Sequence, residues 1–157
     1  MILSITLFFS ACSVKKGFFA QDELHQSALS HSQKGEIYNS LELKASIVAT
    51  HLNSTVVQCD REGIETFLVA IYIAEDSSDE SKQSLMNKNY RLTLNGDKPL
   101  SFSALDYHDD MIKIAPFRNR WSGYYLVKFE KKIVEKLVLQ YKHNNFGKVT
   151  LSFLKDY

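Results

Sequence analysis

The chain has 157 residues, a hydrophobic fraction of 45% and a formal net charge of +1. This length suits a single domain, and the hydrophobic fraction is ordinary for a globular protein. Because the charge is nearly balanced, the chain lacks the overall positive field of nucleic-acid-binding domains, and we expect no nucleic acid among its partners.

A short apolar segment opens the chain and ends in a cysteine. The apolar run, residues 2–9, is too short to cross a bilayer, which takes about 20 residues, but it has the length of the apolar part of a secretory signal. It leads into Ser10-Ala11-Cys12, and this arrangement resembles the signal and cleavage box of bacterial lipoproteins. The resemblance implies removal of residues 1–11, attachment of lipid to Cys12, and a membrane-anchored place in the cell envelope.

The start of the chain departs from the usual lipoprotein pattern in two respects. Phe9 stands where leucine is usual, and no Lys or Arg precedes Cys12. The alternative is a buried apolar segment at the N-terminus of a cytosolic protein. Lipidation would leave Cys59 unpaired, whereas an unlipidated chain in an oxidising compartment could join Cys59 to Cys12. In the sorting scheme of such lipoproteins, Ser13 after the cysteine favours the outer membrane over the inner one.

The segment after the cysteine, residues 12–39, is predicted to be a flexible tether because it is polar and its apolar residues are scattered. Within it, residues 22–30 could form a short helix, since Leu24 and Ala28 lie four positions apart on one face. Two small apolar contacts do not hold a helix in water on their own. We therefore place the folded domain at residues 40–157.

The domain shows the sequence patterns of β-strands. Residues 41–50 alternate between apolar and polar side chains, which predicts a strand with one buried face. Residues 67–73 are continuously apolar and rich in β-branched and aromatic side chains, which predicts a central strand buried on both faces. The predicted strands are 41–50, 67–73, 90–94, 99–105, 111–115, 125–129, 137–141 and 149–153.

Turn signals between these strands predict how they pair. Asn95-Gly96 separates two strand patterns, which predicts a hairpin between strands 90–94 and 99–105. Short polar turns separate the last three predicted strands, which favours an antiparallel meander at the end of the domain.

Seven or eight strands with no strong helix inside the domain indicate an all-β, antiparallel sandwich. The pattern of residues 67–73, then 123–129, then 137–153 with its Asn-Phe-Gly turn resembles the immunoglobulin-like domains of exported bacterial lipoproteins. The resemblance implies an immunoglobulin-like β-sandwich over residues 41–157. It implies no catalytic residues.

A candidate binding surface lies just before the strand at 125–129. Arg118, Arg120, Trp121 and Tyr124 place guanidinium groups and aromatic rings at a loop-to-strand junction. These residue types dominate binding hot spots because each offers a large rigid contact area with a polar group. The alternative is that Trp121 caps one end of the sandwich and the arginine stems cover it.

A short segment with one histidine and two aspartates is a weaker candidate for a metal site. His108, Asp109 and Asp110 could ligate zinc or a similar ion if a remote histidine, such as His51 or His143, completed the site. The alternative is a polar loop, and we expect no cofactor.

A group of lysines around one predicted turn could face anionic lipid headgroups, and its alternative is a solvated turn. These lysines are Lys128, Lys131, Lys132 and Lys136.

The sequence therefore predicts a lipid-anchored, non-catalytic binding or assembly module of the cell envelope. Its partners would be the membrane, through the lipid on Cys12, and an unknown envelope protein or glycan. The alternatives are a metal-binding or metal-dependent envelope enzyme, and a structural subunit of a secretion or envelope complex.

Overall fold

A computed structural model describes residues 18–55, 63–74 and 84–155, with side chains from residue 23 onward. The predicted signal, Cys12 and Cys59 lie outside the described residues. The helix is α1 (Phe18–Ser30), and the strands are β1 (Ser32–Asn39), β2 (Glu42–His51), β3 (Ile64–Ile73), β4 (Tyr90–Leu94), β5 (Ser101–Leu105), β6 (Gly123–Glu130), β7 (Lys136–His143) and β8 (Gly147–Leu154). The described residues also include the short 3₁₀ helices Leu52–Ser54 and Asp110–Ile114.

The strands form two antiparallel sheets. The larger sheet has the order β1-β2-β3-β6-β5, and the smaller one has the order β4-β7-β8. Their facing side chains make one hydrophobic core, to which β2, β3 and β7 contribute fully buried residues such as Ile47, Phe67 and Leu139. The prediction of a mostly β protein with seven or eight strands is confirmed for the described residues.

A second hydrophobic core lies on the other face of the larger sheet. There, Leu24 and Ala28 of α1 pack with Ile112 of the 3₁₀ helix Asp110–Ile114 and with Leu68 and Tyr124 of the sheet. Strand β3 is therefore buried on both faces, which explains its continuous apolar sequence and confirms its predicted central position. None of the helices in the described part of the chain has the length and apolar character needed to cross a membrane.

The predicted tether is wrong for residues 18–39, which form α1 and β1. Strand β1 pairs with β2 along its length, and Ile37 is buried in the first core. Gly35 lies so close to β8 that an added Cβ would overlap the side chain of Val149. The helix is held by burial of Leu24 and Ala28 against the sheet, which supplies the stability that a short isolated helix lacks.

The predicted hairpin between 90–94 and 99–105 is also wrong. Asn95 and Gly96 do form a turn, with φ of 49° and 95°, and Leu94 bridges Asp97. The two strands then separate, because β4 pairs with β7 in the smaller sheet and β5 pairs with β6 in the larger one. A turn signal is local, whereas the strand partner depends on which sheet covers each apolar face.

Two more predictions need correction. The meander holds only for β7 and β8, which pair as neighbours, because β6 lies between β3 and β5 in the other sheet. The predicted strand at 111–115 is instead the 3₁₀ helix Asp110–Ile114, which begins after Asp109 and buries Met111, Ile112 and Ile114. This segment covers the outer face of the larger sheet, so its apolar residues belong to the second core.

Candidate binding surface

The loop that leads into β6, Phe117–Trp121, is here called the aromatic loop. It is held by Tyr124, whose side chain is buried in the second core. The Tyr124 hydroxyl accepts a hydrogen bond from the Asn119 N–H at 2.8 Å and donates one to the Asn119 carbonyl at 3.1 Å. One buried hydroxyl therefore satisfies both backbone groups of a loop residue and fixes the path of the loop.

The side chain of Asn119 fixes the loop further. Its Oδ1 accepts a hydrogen bond from the Trp121 N–H at 2.9 Å, which closes a turn two residues long. Trp121 emerges from this turn with 77% of its surface exposed, and Phe117 at the start of the loop is 54% exposed. The loop thus presents large aromatic side chains to solvent from a backbone with few conformational choices.

The arginines flank these aromatic rings. The guanidinium carbon of Arg118 lies 5.2 Å from the centre of the Tyr107 ring, within the range of a cation–π contact. The Tyr107 ring in turn contacts Tyr124 edge-to-face at 6.2 Å. Arg120 is exposed, so the loop offers two guanidinium groups beside its aromatic surface.

Three of the four predicted surface residues are exposed on the aromatic loop: Arg118, Arg120 and Trp121. The prediction that Tyr124 belongs to this surface is wrong, because only 3% of Tyr124 is exposed. Burial raises the pKa of Tyr124, so its hydroxyl stays protonated and keeps its role as a donor to the loop. The exposure of Trp121 contradicts the alternative in which it caps the sandwich.

The residues proposed as metal ligands make other contacts. Asp109 accepts a hydrogen bond from the Met111 N–H at 2.8 Å and so begins a 3₁₀ helix. Asp110 forms an ion pair with Lys113 at 2.5 Å, and the exposed His108 packs against Tyr107. Across the described ranges, no three His, Cys, Asp or Glu side chains are placed to hold a metal ion.

The two histidines suggested as remote ligands are buried elsewhere. His143 accepts hydrogen bonds through Nδ1 from the N–H groups of Asn145 and Phe146, which shape the turn between β7 and β8. His51 lies at the end of β2 and contacts Ser54 and Glu65. Both are therefore fixed within the fold by contacts with residues other than His108, Asp109 and Asp110.

A buried polar cluster around Glu65 was missed by the sequence analysis. His51 Nε2 lies 2.9 Å from Glu65 Oε2, and His51 Nδ1 lies 2.9 Å from the Ser54 hydroxyl. A carboxylate only accepts hydrogen bonds, so Nε2 carries the proton and donates to Glu65. Lys155 pairs with the other carboxylate oxygen at 2.5 Å. The only sequence signal was a glutamate at the start of an apolar strand.

The cluster connects three parts of the chain through hydrogen bonds and an ion pair at one end of the larger sheet. It joins the end of β2, the start of β3 and the residue that follows β8. Burial raises the pKa of the Glu65 carboxyl, but the contacts with His51 and Lys155 outweigh burial and hold this pKa below its ordinary value. A cavity of about 250 Å³ beside His51 is also lined by His31 and Phe153.

The predicted lysine surface is partly engaged in the fold. Lys132 forms an ion pair with Asp97, and its carbonyl accepts a hydrogen bond from the Lys155 ammonium. Lys131 and Lys136 are exposed, while Lys128 is half-buried on β6. These contacts favour the alternative of a structured, solvated turn.

No protein-family model matches the chain, and neither the curated proteins nor the solved structures contain a match to it. The aromatic loop combines exposed aromatic and arginine side chains with a backbone held by hydrogen bonds.

Proposed function

We propose that the chain is a lipid-anchored cell-envelope protein whose β domain binds another envelope protein through the aromatic loop. The observation that carries this proposal is the 77% exposure of Trp121 on a loop fixed by the buried hydroxyl of Tyr124. In this assignment Arg118, Arg120 and Trp121 contact the partner, and Tyr124 positions them.

The aromatic loop is held in place by hydrogen bonds before it meets a partner, which lowers the cost of ordering it on binding. Side-chain and loop ordering at an interface consumes part of the free energy that contacts supply, and a loop that is ordered beforehand avoids much of this loss. Tryptophan and arginine are the residues most enriched among binding hot spots. The aromatic loop combines both residue types with the hydrogen bonds from Asn119 and Tyr124 that hold it.

The anchor and the domain class form the rest of the proposal. Ser10-Ala11-Cys12 has the small residues and the cysteine of a lipoprotein cleavage box, which supports lipid attachment at Cys12 and an envelope location. The two antiparallel sheets support an immunoglobulin-like sandwich, with α1 as an addition on the outer face of the larger sheet. Such a domain acts by binding, without catalysis.

The test is affinity capture of the full-length chain from solubilised membranes, followed by binding of the purified partner. Trp121→Ala and Arg120→Ala should each reduce capture of that partner by at least tenfold. Ile133→Ala is the matched control, because Ile133 is an apolar residue that is fully exposed in the turn between β6 and β7. Capture that is unchanged by both loop substitutions would remove the aromatic loop from the proposal.

Two other outcomes redirect the assignment. Loop-dependent binding to purified cell-wall glycan, with no protein captured, would show a carbohydrate partner. A complex of defined mass that survives the loop substitutions would favour a structural subunit that assembles through another surface. The mass of the N-terminal peptide from the membrane fraction tests the anchor independently, because diacylglycerol on Cys12 is expected, and an intact Met1 would contradict it.

A further inference from the structure

Strand β5 is an edge strand of the larger sheet. It pairs with β6 from Ser101↔Lys128 to Leu105↔Tyr124, and no other described strand pairs with its opposite side. Two apolar residues at this side are exposed: Leu100 by 60% and Phe102 by 43%. An unpaired edge of this kind offers backbone N–H and C=O groups to a further strand.

The strand β5 itself lacks two of the features that usually prevent such pairing. Ser101–Leu105 contains no charged residue and no proline, whereas natural edge strands are commonly protected by charges, prolines or covering segments. At the other side of the same sheet, β1 carries the ion pair between Lys34 and Glu36 at 2.7 Å, and Gly35 packs tightly against Val149 of β8. Within the described residues, β1 is therefore protected by an ion pair and close packing, whereas β5 itself carries neither a charge nor a proline.

We propose that β5 pairs antiparallel with β5 of a second copy of the chain, centred on Ser103. This register places Phe102 of one copy opposite Ala104 of the other, and Ser101 opposite Leu105. Large residues then face small ones, and no charges meet. The pairing joins the two larger sheets into one sheet of about ten strands around a two-fold axis.

The sequence of β5 favours a second copy of the chain as the partner that pairs with this edge. A two-fold interface uses the same patch on both partners, so the patch must complement itself. The order small–large–small–small–large in Ser101–Leu105 satisfies this condition when the strand is reversed about Ser103. The paired edge is short compared with stable interfaces, which bury roughly 1,200–2,000 Å². The dimer is accordingly concentration-dependent.

Cysteine cross-linking tests both the contact and its register. In the full-length chain with Cys12→Ser and Cys59→Ser, Ser103→Cys places two thiols opposite each other, with Cβ atoms about 5 Å apart. Ser101→Cys is the matched control on the same strand, because its two copies would lie about 13 Å apart along the strands. Mild oxidation should give a covalent dimer from Ser103→Cys and at least tenfold less from Ser101→Cys.

Sedimentation equilibrium tests the same contact without cross-linking. The average mass of the Cys12→Ser/Cys59→Ser chain should rise towards twice the monomer mass as concentration increases. Ser103→Lys, which sets two like charges opposite each other, should return it to the monomer mass. Thr150→Lys on the exposed face of β8 is the control and should leave the rise unchanged. A monomer mass at every concentration, or equal cross-linking of the two cysteine variants, would overturn the proposal.

Discussion

His51 Nε2 lies 2.9 Å from Oε2 of Glu65, and only 2% of each side chain is exposed. Lys155 occupies the other oxygen of the same carboxylate. Glu65 is therefore the centre of a buried polar cluster that ties the last described residue of the chain to the start of β3. Removing one partner of such a cluster leaves the others buried without their hydrogen bonds.

Glu65→Gln should destabilise the domain strongly. The glutamine removes the charge that compensates Lys155, and breaking a buried pair in this way costs about 3–5 kcal/mol. Denaturant unfolding at neutral pH measures the change in the free energy of unfolding. Glu36→Gln is the matched control, because Glu36 forms an ion pair of 2.7 Å with Lys34 at the surface, where such pairs contribute about 0–1 kcal/mol. Equal effects of the two substitutions would contradict the role of Glu65.

Acid should weaken the wild-type domain through Glu65. Its pKa is lower in the folded chain than the ordinary value of 4.5, so the unfolded chain binds this proton at a higher pH than the folded chain does. The stability from this carboxylate is present above about pH 4.5 and is lost as the pH falls through the folded pKa. The free energy of unfolding of the wild type and of Glu65→Gln is measured from pH 7 to pH 3. The difference between the two proteins should become smaller as the pH falls. A constant difference would contradict this linkage.

Tyr124→Phe should weaken partner binding although Tyr124 is buried. The substitution removes both hydrogen bonds to Asn119 and frees the aromatic loop, and the lost hydrogen bonds should reduce stability by about 1–2 kcal/mol. Tyr125→Phe is the control, since the Tyr125 hydroxyl is also buried and hydrogen-bonded, to Leu85 and Ser84, on the opposite face of the sheet. Both variants should lose similar stability, measured by denaturant unfolding, but only Tyr124→Phe should lose partner capture.

Gly35→Ala should destabilise the domain, because the new methyl group would overlap Val149 of β8. Overpacking of this kind costs about 1–3 kcal/mol. The double variant Gly35→Ala/Val149→Ala should recover part of the loss, since the smaller side chain makes room. Thermal unfolding of the single and double variants measures both effects. If residues 12–39 were a flexible tether, Gly35→Ala would leave the unfolding temperature unchanged.

The sequence patterns that were interpreted correctly are those in which the polarity of each residue indicates whether its own side chain is buried or exposed. Residues 67–73 are continuously apolar because β3 is covered on both faces, by the smaller sheet and by α1 with its neighbouring 3₁₀ helix. The alternation in β2 follows from one face turned to the first core. The aromatic loop was singled out because arginines and aromatic residues are grouped there, but the exposure of Trp121 is known only from the structure.

The errors concern contacts between segments that are distant in the sequence. Strand β1 has little apolar pattern, because its stability comes from backbone hydrogen bonds to β2 and from close packing of Gly35 on β8. The Asn95-Gly96 turn was recognised, but its two strands belong to different sheets. Tyr124 was assigned to the surface because alternation alone does not show that α1 covers the outer face of the sheet.

The sequence by itself determined the β class, the central strand and the position of the aromatic loop. The anchor at Cys12 stays a prediction from the sequence, because Cys12 lies outside the described residues. Only the tertiary structure decided the partner of each strand, the burial of Tyr124, and the meeting of His51, Glu65 and Lys155. The physical reason is the range of the forces involved. Side-chain periodicity and turn geometry act over a few residues, whereas sheet pairing and the compensation of buried charges depend on residues that folding brings together.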